Sequence, residues 1–410
     1  MATGGVAVGL VALAFAACAD QAQQVFSVFL GVAPAFALAV IPLAYGGITY
    51  ITNTWAHEAR GSGIPQVIAS LHKPTFASKP ALTSFRTGVF KFVLTLAVLA
   101  VGGSVGREGP TVQISAAVMK TVQRAFGVDI TPAILMAGGA AGLSAAFNTP
   151  LAGIAFTIEE LVSAYEERLV VLAMGAVMIA GLVSLGIAGD YIYFGAMHEK
   201  VSILRMLEIC PTAGVVGGLS GGLFSLAGLR FGQTTWPPIV RIRQHPVLWA
   251  CACGALVAVV GYASGGTTWG TGYVAAKAIV EGHGPSLWFG PSKIFVTLVT
   301  SLSGVPGGIF APSLSAGAGI GALISTLFPS EPSSAIGLLG MAGYFVGVVR
   351  SPLTAVLIIY EMTDSRQIVV PLIATALIAD VVSHLVCHES LYHGLARAYR
   401  AERTKPSGTG

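Results

Sequence analysis

The sequence predicts an all-α polytopic membrane protein, and three observations support that fold class. Hydrophobic residues make up 54% of the 410 residues and charged residues only 10%, whereas a soluble domain carries about 25% charged residues. The mean hydropathy is +0.78. Charge-poor segments recur along the whole chain, and glycine or proline interrupts many of them. We therefore expect broken helices that end inside the bilayer as well as simple spans.

The N-terminal segment predicts a retained membrane helix. Met1 to Cys18 is apolar and no lysine or arginine precedes Asp20, whereas a secretory signal begins with a basic stretch. The net charge of +4, with no basic tract, argues against a nucleic-acid partner. The five cysteines are odd in number and lie mostly in apolar stretches, so we expect free thiols and neither a metal nor a cofactor.

An ionisable pair, Arg107 and Glu108, lies between two apolar segments, 90–105 and 111–118. Ionisable residues inside a membrane are costly and usually functional. The flanking glycines let the backbone turn with its N–H groups uncovered, and Pro110 fits the first turn of a helix. Because a helix N-terminus attracts anions, we interpret Glu108 as a tethered stand-in for a transported anion. The alternatives are a structural ion pair with Arg107 and a carboxylate that only stabilises a helix start.

Scarce residues of the first half recur 202 positions later without a gap. The sequence therefore predicts two related membrane repeats, residues 1–190 and 206–400, joined by a linker, 191–205, and followed by a polar tail, 401–410. Transporters built from two such halves bind their substrate near mid-membrane, where broken helices meet. The pairs in register are Lys91 and Lys293, Pro110 and Pro312, Pro150 and Pro352, and Glu159 and Glu361.

Two more glycine-rich stretches predict helix starts that present polar donors. Residues 61–65 read Gly-Ser-Gly-Ile-Pro, and residues 307–312 read Gly-Gly-Ile-Phe-Ala-Pro. The second stretch is the repeat partner of the stretch around Glu108. An ordinary serine N-cap and a glycine kink against a neighbouring helix are the alternatives for each stretch alone. Three such starts in charge-poor surroundings favour a shared anion site.

Together these stretches resemble the motifs of the CLC family of chloride channels and proton-coupled chloride antiporters. The resemblance runs from about Ala12 to Ala398. It implies a homodimer with one ion pathway per subunit and two inverted-topology repeats of tilted and broken helices. It also implies a multi-pass protein in the lipid bilayer of a plasma (inner) membrane. The further matching motifs are Ala145-Ala-Phe-Asn-Thr-Pro-Leu-Ala-Gly153, Glu159-Glu160, Arg350-Ser-Pro-Leu353, Glu361-Met-Thr-Asp364 and Leu391-Tyr392.

The resemblance also assigns roles to individual residues. Glu108 matches the gating glutamate, and Glu160 resembles the inward-facing glutamate that transfers protons and that passive channels of the family lack. A serine in the first motif resembles chloride-selective members, whereas nitrate-preferring relatives carry proline there. Gln66 departs from the commoner acidic residue. The positions that match chloride-binding residues are Ser62 and Tyr392, through their hydroxyls, and Ile309 and Phe310, through their backbone N–H groups.

Some of these residues have plainer alternatives. A solvated helix end would account for Glu159 and Glu160, and an interfacial tyrosine would account for Tyr392. Glu361 and Asp364 are interpreted as capping or structural residues at a cytoplasmic end. These alternatives depend on burial and on partners, which the sequence alone does not give.

The leading functional prediction is an antiporter that exchanges chloride for protons. Ionised Glu108 occupies the anion's position and swings away when protonated, while Glu160 supplies the proton from the cytoplasmic side. A passive voltage- or pH-gated chloride channel of the same fold is the alternative. An intramembrane enzyme is disfavoured because Ser62 has no histidine within a suggestive motif. The histidines of segment 384–393 could hold a metal, but polar residues are also expected at a membrane boundary.

Overall fold

The computed structural model describes residues 1–32, 34–71, 81–161, 167–189, 194–195, 203–363 and 368–404. This part of the chain forms α-helices, short 3₁₀ turns and one π-helical turn. The α-helices are α1 (Ala2–Val32), α2 (Ala37–Trp55), α3 (Ile64–Leu71), α4 (Phe85–Ala100), α5 (Glu108–Ala125), α6 (Pro132–Phe147), α7 (Pro150–Phe156), α8 (Glu167–Ala188), α9 (Ile203–Gln233), α10 (Pro237–Gln244), α11 (Pro246–Ala263), α12 (Tyr273–Val280), α13 (Phe289–Ser303), α14 (Phe310–Ser325), α15 (Ser333–Val349), α16 (Pro352–Thr363), α17 (Val369–Val386) and α18 (Leu391–Thr404).

Helix length and apolar composition make this a polytopic helical membrane protein, as predicted. Within the described residues, α1, α2, α9, α11 and α17 are long and apolar enough to cross a membrane. The apolar helices α6, α14, α15 and α16 are shorter than the roughly 20 residues of a simple span. Large apolar side chains point outward on many helices, as contact with lipid requires; Leu43, Val171, Leu207 and Leu385 are examples.

The helices recur in the same order in two halves. Helices α4 to α8 correspond to α13 to α17, and the starts of α5 and α14, of α7 and α16, and of α8 and α17 lie 202 positions apart. Helices α6 and α15 both end in a left-handed residue, Asn148 (φ 57°) and Arg350 (φ 67°), again 202 positions apart. Such a residue ends a helix and redirects the chain. The helix boundaries therefore repeat at the same interval of 202 positions as the scarce residues.

The predicted domain boundaries stay predictions. Most of the predicted linker lies outside the described residues, and so do residues 405–410 of the predicted tail. Helix α9 already begins at Ile203, inside the predicted linker, and α18 continues to Thr404, inside the predicted tail.

Two glutamates that lie 202 positions apart, Glu159 and Glu361, each cap a helix of the other half of the chain. The Glu159 carboxylate accepts hydrogen bonds from the N–H groups of residues 353–354 (2.8 and 2.7 Å) and from the Thr354 hydroxyl (2.7 Å), at the start of α16. Glu361 accepts from the N–H groups of residues 151–152 (3.1 and 2.8 Å), at the start of α7. A helix start leaves these donors unpaired and carries positive charge, so both carboxylates stabilise it.

This arrangement decides two of the sequence alternatives. The solvated helix end is wrong for Glu159, whose oxygens bind the start of α16. The capping interpretation of Glu361 is confirmed. Asp364, interpreted in the same way, lies outside the described residues.

Small residues allow the buried helices to approach closely. A Cβ on Gly317 of α14 would lie 2.7 Å from the carbonyl oxygen of Gly340 on α15, and a Cβ on Gly343 would lie 2.6 Å from that of Ala213 on α9. Within a membrane, helix association depends on such close packing because lipid is as apolar as the side chains. Helix α15 is therefore buried on all sides and supports the start of α14.

Candidate functional site

The starts of α3, α5 and α14 meet at one place in the fold. Gly106 and Gly308, 202 positions apart, exchange both backbone hydrogen bonds, with N···O distances of 2.7 and 2.8 Å. A Cβ on Gly308 would lie 3.0 Å from both the Gly106 oxygen and the Gly109 nitrogen. A Cβ on Gly109 would lie 3.0 Å from the Ser62 carbonyl oxygen. Glycine is therefore required for the three helix N-termini to come together.

Glu108 is the first residue of α5, and its side chain is fully buried at the start of α14. Its Oε2 accepts a hydrogen bond from the N–H of Ala311 (3.4 Å), and its Oε1 has no hydrogen-bond partner in the protein. Arg107 instead pairs with Asp20 (2.8 Å) and donates to the carbonyl oxygen of Ala16 (3.0 Å). Arg107 also interacts electrostatically with Glu108, but the hydrogen bond of the Glu108 carboxylate is to the start of α14.

Ser62 and Tyr392 both line one cavity of about 230 Å³. Both hydroxyl oxygens are buried, and neither has a hydrogen-bond partner in the protein. The Tyr392 hydroxyl lies near the Ser62 hydroxyl without a well-formed hydrogen bond, and it interacts electrostatically with Glu160 and Glu108. Tyr392 is completely buried, so it is not an interfacial tyrosine. Two buried hydroxyl groups thus belong to residues that line the cavity beside the helix starts.

The charge of the cavity wall favours anions. Arg60 and Arg243 both line it, and none of its described lining residues is acidic. Positive side chains near a low-dielectric cleft raise the local concentration of anions. The two arginines thus lie in the wall of the cavity. At the helix starts themselves, the donors are hydroxyl and backbone N–H groups, which carry no full charge.

Ile309 and Phe310 occupy the N-cap and first position of α14. Backbone N–H groups at these positions have no acceptor within their own helix, so they can donate to an anion. The Phe310 ring is fixed by its surroundings: it stacks on Tyr392, with ring centroids 5.9 Å apart, and meets Phe345 edge-on at 4.8 Å. The structure therefore brings together Ser62, Tyr392 and the start of α14.

Two buried lysines, to which sequence reasoning assigned no role, hold equivalent loops of the two halves in place, and the loop that Lys91 holds belongs to the site. Lys91 donates to the carbonyl oxygens of Ala59 (2.9 Å) and Gly61 in the loop before Ser62. Lys293, 202 positions later, donates to the carbonyl oxygens of residues 268 and 270 (2.8 and 2.7 Å). The interval of 202 positions between the two lysines was the signal in the sequence that could have pointed to this common role. These bonds direct the carbonyl oxygens of each loop toward its lysine.

Gln66 has a structural role at the same loop. Its Oε1 accepts from the N–H of Gly63 (3.0 Å), one of the donors left unpaired at the start of α3. Its Nε2 donates to the Arg60 carbonyl oxygen (2.5 Å) and the Tyr399 hydroxyl (3.1 Å). The amide thus ties the start of α3 to α18, where a carboxylate could not donate.

Glu160 lies in a π-helical turn, Thr157–Leu161, which follows α7. Its side chain is only 3% exposed, so the solvated helix end is wrong here too. Ser351 donates its hydroxyl to Oε1 (2.7 Å), and Nδ1 of His393 lies 3.6 Å from Oε2. Sequence reasoning connected neither partner with Glu160: Ser351 lies inside the quoted motif Arg350–Leu353, and His393 was weighed only as a metal ligand.

The polar segment after α17 binds protein groups. Arg350 interacts with the ring of His384 and with Asp380 (3.4 Å), and it donates to the carbonyl oxygen of His388 (3.0 Å). Among the described residues, no group of three or more potential ligands is placed to hold a metal. The segment thus fixes the path from α17 into α18.

Known proteins share both sequence and fold with this chain. A family model described as voltage gated chloride channel matches residues 47–384. The "H(+)/Cl(-) exchange transporter ClcA" of Yersinia pestis bv. Antiqua (strain Angola) is 30% identical over 438 residues, covering 99% of this chain and 88% of the relative. A solved structure of a slow cyanobacterial Cl-/H+ antiporter has a TM-score of 0.83 at 23% identity and covers 98% of both chains. A CLC-type fluoride/proton antiporter has a TM-score of 0.77 at 20% identity, with 96% of both chains covered.

Proposed function

The chain belongs to the voltage-gated chloride channel (CLC) family, and we propose that it exchanges chloride for protons across a membrane. The observation that carries this proposal is the position of Glu108, whose carboxylate accepts from the start of α14 beside the cavity of Ser62 and Tyr392. The 30%-identical relative bears the name of a proton/chloride exchanger. The family is one of ion channels and transporters, so we propose transport without an enzymatic step.

Chloride binding follows from the donors at the site. Moving a bare ion into an apolar medium costs about 20 kcal/mol in the idealised limit, so the protein must replace its water. In the proposal, the hydroxyls of Ser62 and Tyr392 and the backbone N–H groups of Ile309 and Phe310 do so. None of these groups carries a full positive charge, and transport requires binding weak enough for the ion to leave.

Proton coupling follows from competition for one place. The ionised Glu108 carboxylate accepts from the Ala311 N–H, a donor that an anion at the start of α14 would also use. Protonation removes the charge of the side chain and weakens that hydrogen bond, so the side chain moves away and chloride takes its place. Each protonation of Glu108 is thereby linked to chloride occupancy.

Glu160 is proposed as the second proton carrier. It is buried, and it lies within electrostatic range of Tyr392, as Glu108 does. A proton can therefore pass between the two carboxylates along the side of the anion site, across water. A passive channel would not need this second buried carboxylate, which is why antiport is favoured over the channel alternative.

The remaining parts of the proposal concern assembly and location. We propose a homodimer in which each subunit has its own pathway, in a plasma (inner) membrane. The outward apolar side chains of the helices support contact with lipid. Cross-linking of the purified protein in membranes tests the dimer, since a monomer on denaturing gels after efficient cross-linking would contradict it.

Flux measurements test the function. The purified protein is reconstituted into vesicles loaded with chloride, and chloride and proton movements are recorded together. An antiporter uses the outward chloride gradient to drive protons inward against a proton gradient. Chloride efflux without any uphill proton movement would overturn antiport and favour the passive channel.

A further inference from the structure

We propose that His393 passes protons between bulk water and Glu160. The inference rests on the proposed antiport, and it adds a residue that neither the family resemblance nor the sequence motifs assigned. His393 is the second residue after the start of α18 and follows Tyr392 directly, so one helical turn holds both the anion-site phenol and the proposed proton carrier.

The geometry places His393 between a buried acid and solvent. Its Nδ1 lies 3.6 Å from Oε2 of Glu160, and its side chain is 39% exposed, whereas the Glu160 side chain is 3% exposed. The distance is slightly longer than a hydrogen bond. A small rotation of the half-exposed ring, or one bridging water, brings the nitrogen within range of the carboxylate.

The other partners of Glu160 do not offer this path. Ser351 occupies Oε1, but it is completely buried and therefore holds the carboxylate without reaching water. Glu159, the neighbour in sequence, has both oxygens bound by the start of α16. Oε2 of Glu160, which makes no hydrogen bond in the described structure, faces His393.

The charged side chains nearest His393 on α18 and at the end of α15 pair with other groups. On α18, Arg397 forms an ion pair with Glu389, and at the end of α15, Arg350 pairs with Asp380 and His384. Helix α9 packs against α18 and presents Arg230, which is exposed; α3 packs there too and carries no acidic or basic side chain. Nδ1 of His393 lies within ion-pair distance of the Glu160 carboxylate.

The proton step balances without any other reactant. Imidazolium donates its Nδ1 proton to Oε2 of Glu160, which leaves neutral imidazole and a carboxylic acid. The imidazole then takes a proton from water or buffer, and the reverse sequence releases protons. Histidine suits this exchange because its unperturbed pKa of about 6.5 makes both forms available near neutral pH.

The test separates proton carrying from simple charge pairing. His393→Gln removes the titratable ring, and His393→Lys keeps a positive charge that does not leave at neutral pH. His388→Gln is the matched control, because His388 is an exposed histidine on the same segment whose contact with Arg350 uses its backbone oxygen. Chloride and proton fluxes are recorded together in vesicles from about pH 5.5 to 7.5, the range in which histidine titrates.

We expect both His393 variants to lose proton flux by about 100-fold, the lower end of the effect of a positioned acid or base, while chloride flux continues. In wild type and in His388→Gln, proton flux changes with pH around the histidine range, and His393→Gln loses that inflection. Added imidazole restores part of its proton flux. Wild-type proton flux in His393→Gln, or full flux in His393→Lys, overturns the relay but leaves antiport intact. A wild-type protein that moves no protons uphill overturns both.

Discussion

Helices α7 and α16 are capped by Glu361 and Glu159, and loss of either cap should lower the free energy of unfolding by an amount that can be estimated. Glu159 accepts two backbone N–H groups and one hydroxyl at the start of α16, and Glu361 accepts two N–H groups at the start of α7. Glutamine keeps the size of the side chain but removes the charge and replaces one acceptor oxygen with a donor. Each substitution therefore turns a charge-assisted cap into a partly repulsive contact.

The magnitude follows from the lost interactions. Loss of a helix cap costs about 0.5–2 kcal/mol, and a charge at a helix end contributes up to about 2 kcal/mol when partly buried. We expect Glu159→Gln to lower the free energy of unfolding by about 2 kcal/mol, which is roughly a 30-fold change in the unfolding equilibrium. Glu361→Gln should cost somewhat less, because it accepts one bond fewer.

The assay is denaturant unfolding in detergent micelles, followed by tryptophan fluorescence. Glu208→Gln is the control, because Glu208 forms an exposed ion pair with Arg205 (3.2 Å), and such pairs contribute about 0–1 kcal/mol. The capping account is refuted if Glu159→Gln and Glu361→Gln unfold at the same denaturant concentration as Glu208→Gln. Because Ser351 immediately precedes the capped helix α16, Glu159→Gln should also lower the ratio of proton to chloride flux.

Three further substitutions test separate parts of the site. Glu160→Gln should keep chloride flux and lose proton flux, since the buried proton carrier is gone; unchanged proton pumping in the paired flux assay would count against its role. Ser62→Pro should raise the ratio of nitrate to chloride flux, because it removes a hydroxyl donor, and an unaltered ratio would argue against Ser62 as a selectivity residue. Gly308→Ala should destabilise the protein by about 1–3 kcal/mol through overpacking, because the new Cβ would lie 3.0 Å from the Gly106 oxygen; unfolding identical to wild type would show that the helix starts are not so closely packed.

The main features of the fold and site were predictable because they depend on rare residues in an apolar chain. A glutamate between two apolar segments stands out, and Glu108 does lie buried at a helix start. Prolines and lysines repeating at one interval revealed the recurrence of helices. The glycines at 106 and 308 marked positions where backbones must touch. These signals are local or strictly periodic, so one sequence can display them.

What the sequence did not reveal depends on contacts between distant segments. Glu159 was misread as a solvated end because its partner helix start lies 194 positions away at Leu353. Ser351 reaches Glu160 from the turn before α16 and His393 reaches it from α18, and neither residue type is unusual at its own position. Lys91 binds carbonyl oxygens, which every residue carries. In each case the role of the residue depends on a partner group that occurs many times in the chain, and only the folded structure shows which one lies beside it.

The most direct test of the account is where a heavy halide binds when Glu108 loses its charge. Crystals of the wild type and of Glu108→Gln, grown in bromide, are compared by anomalous diffraction. The account predicts bromide beside the hydroxyls of Ser62 and Tyr392 in both proteins, and a further bromide near the Ala311 N–H in the variant alone, where the carboxylate lies in the wild type. Bromide absent from the start of α14 in the variant would contradict the claim that the carboxylate and the ion take turns at one place.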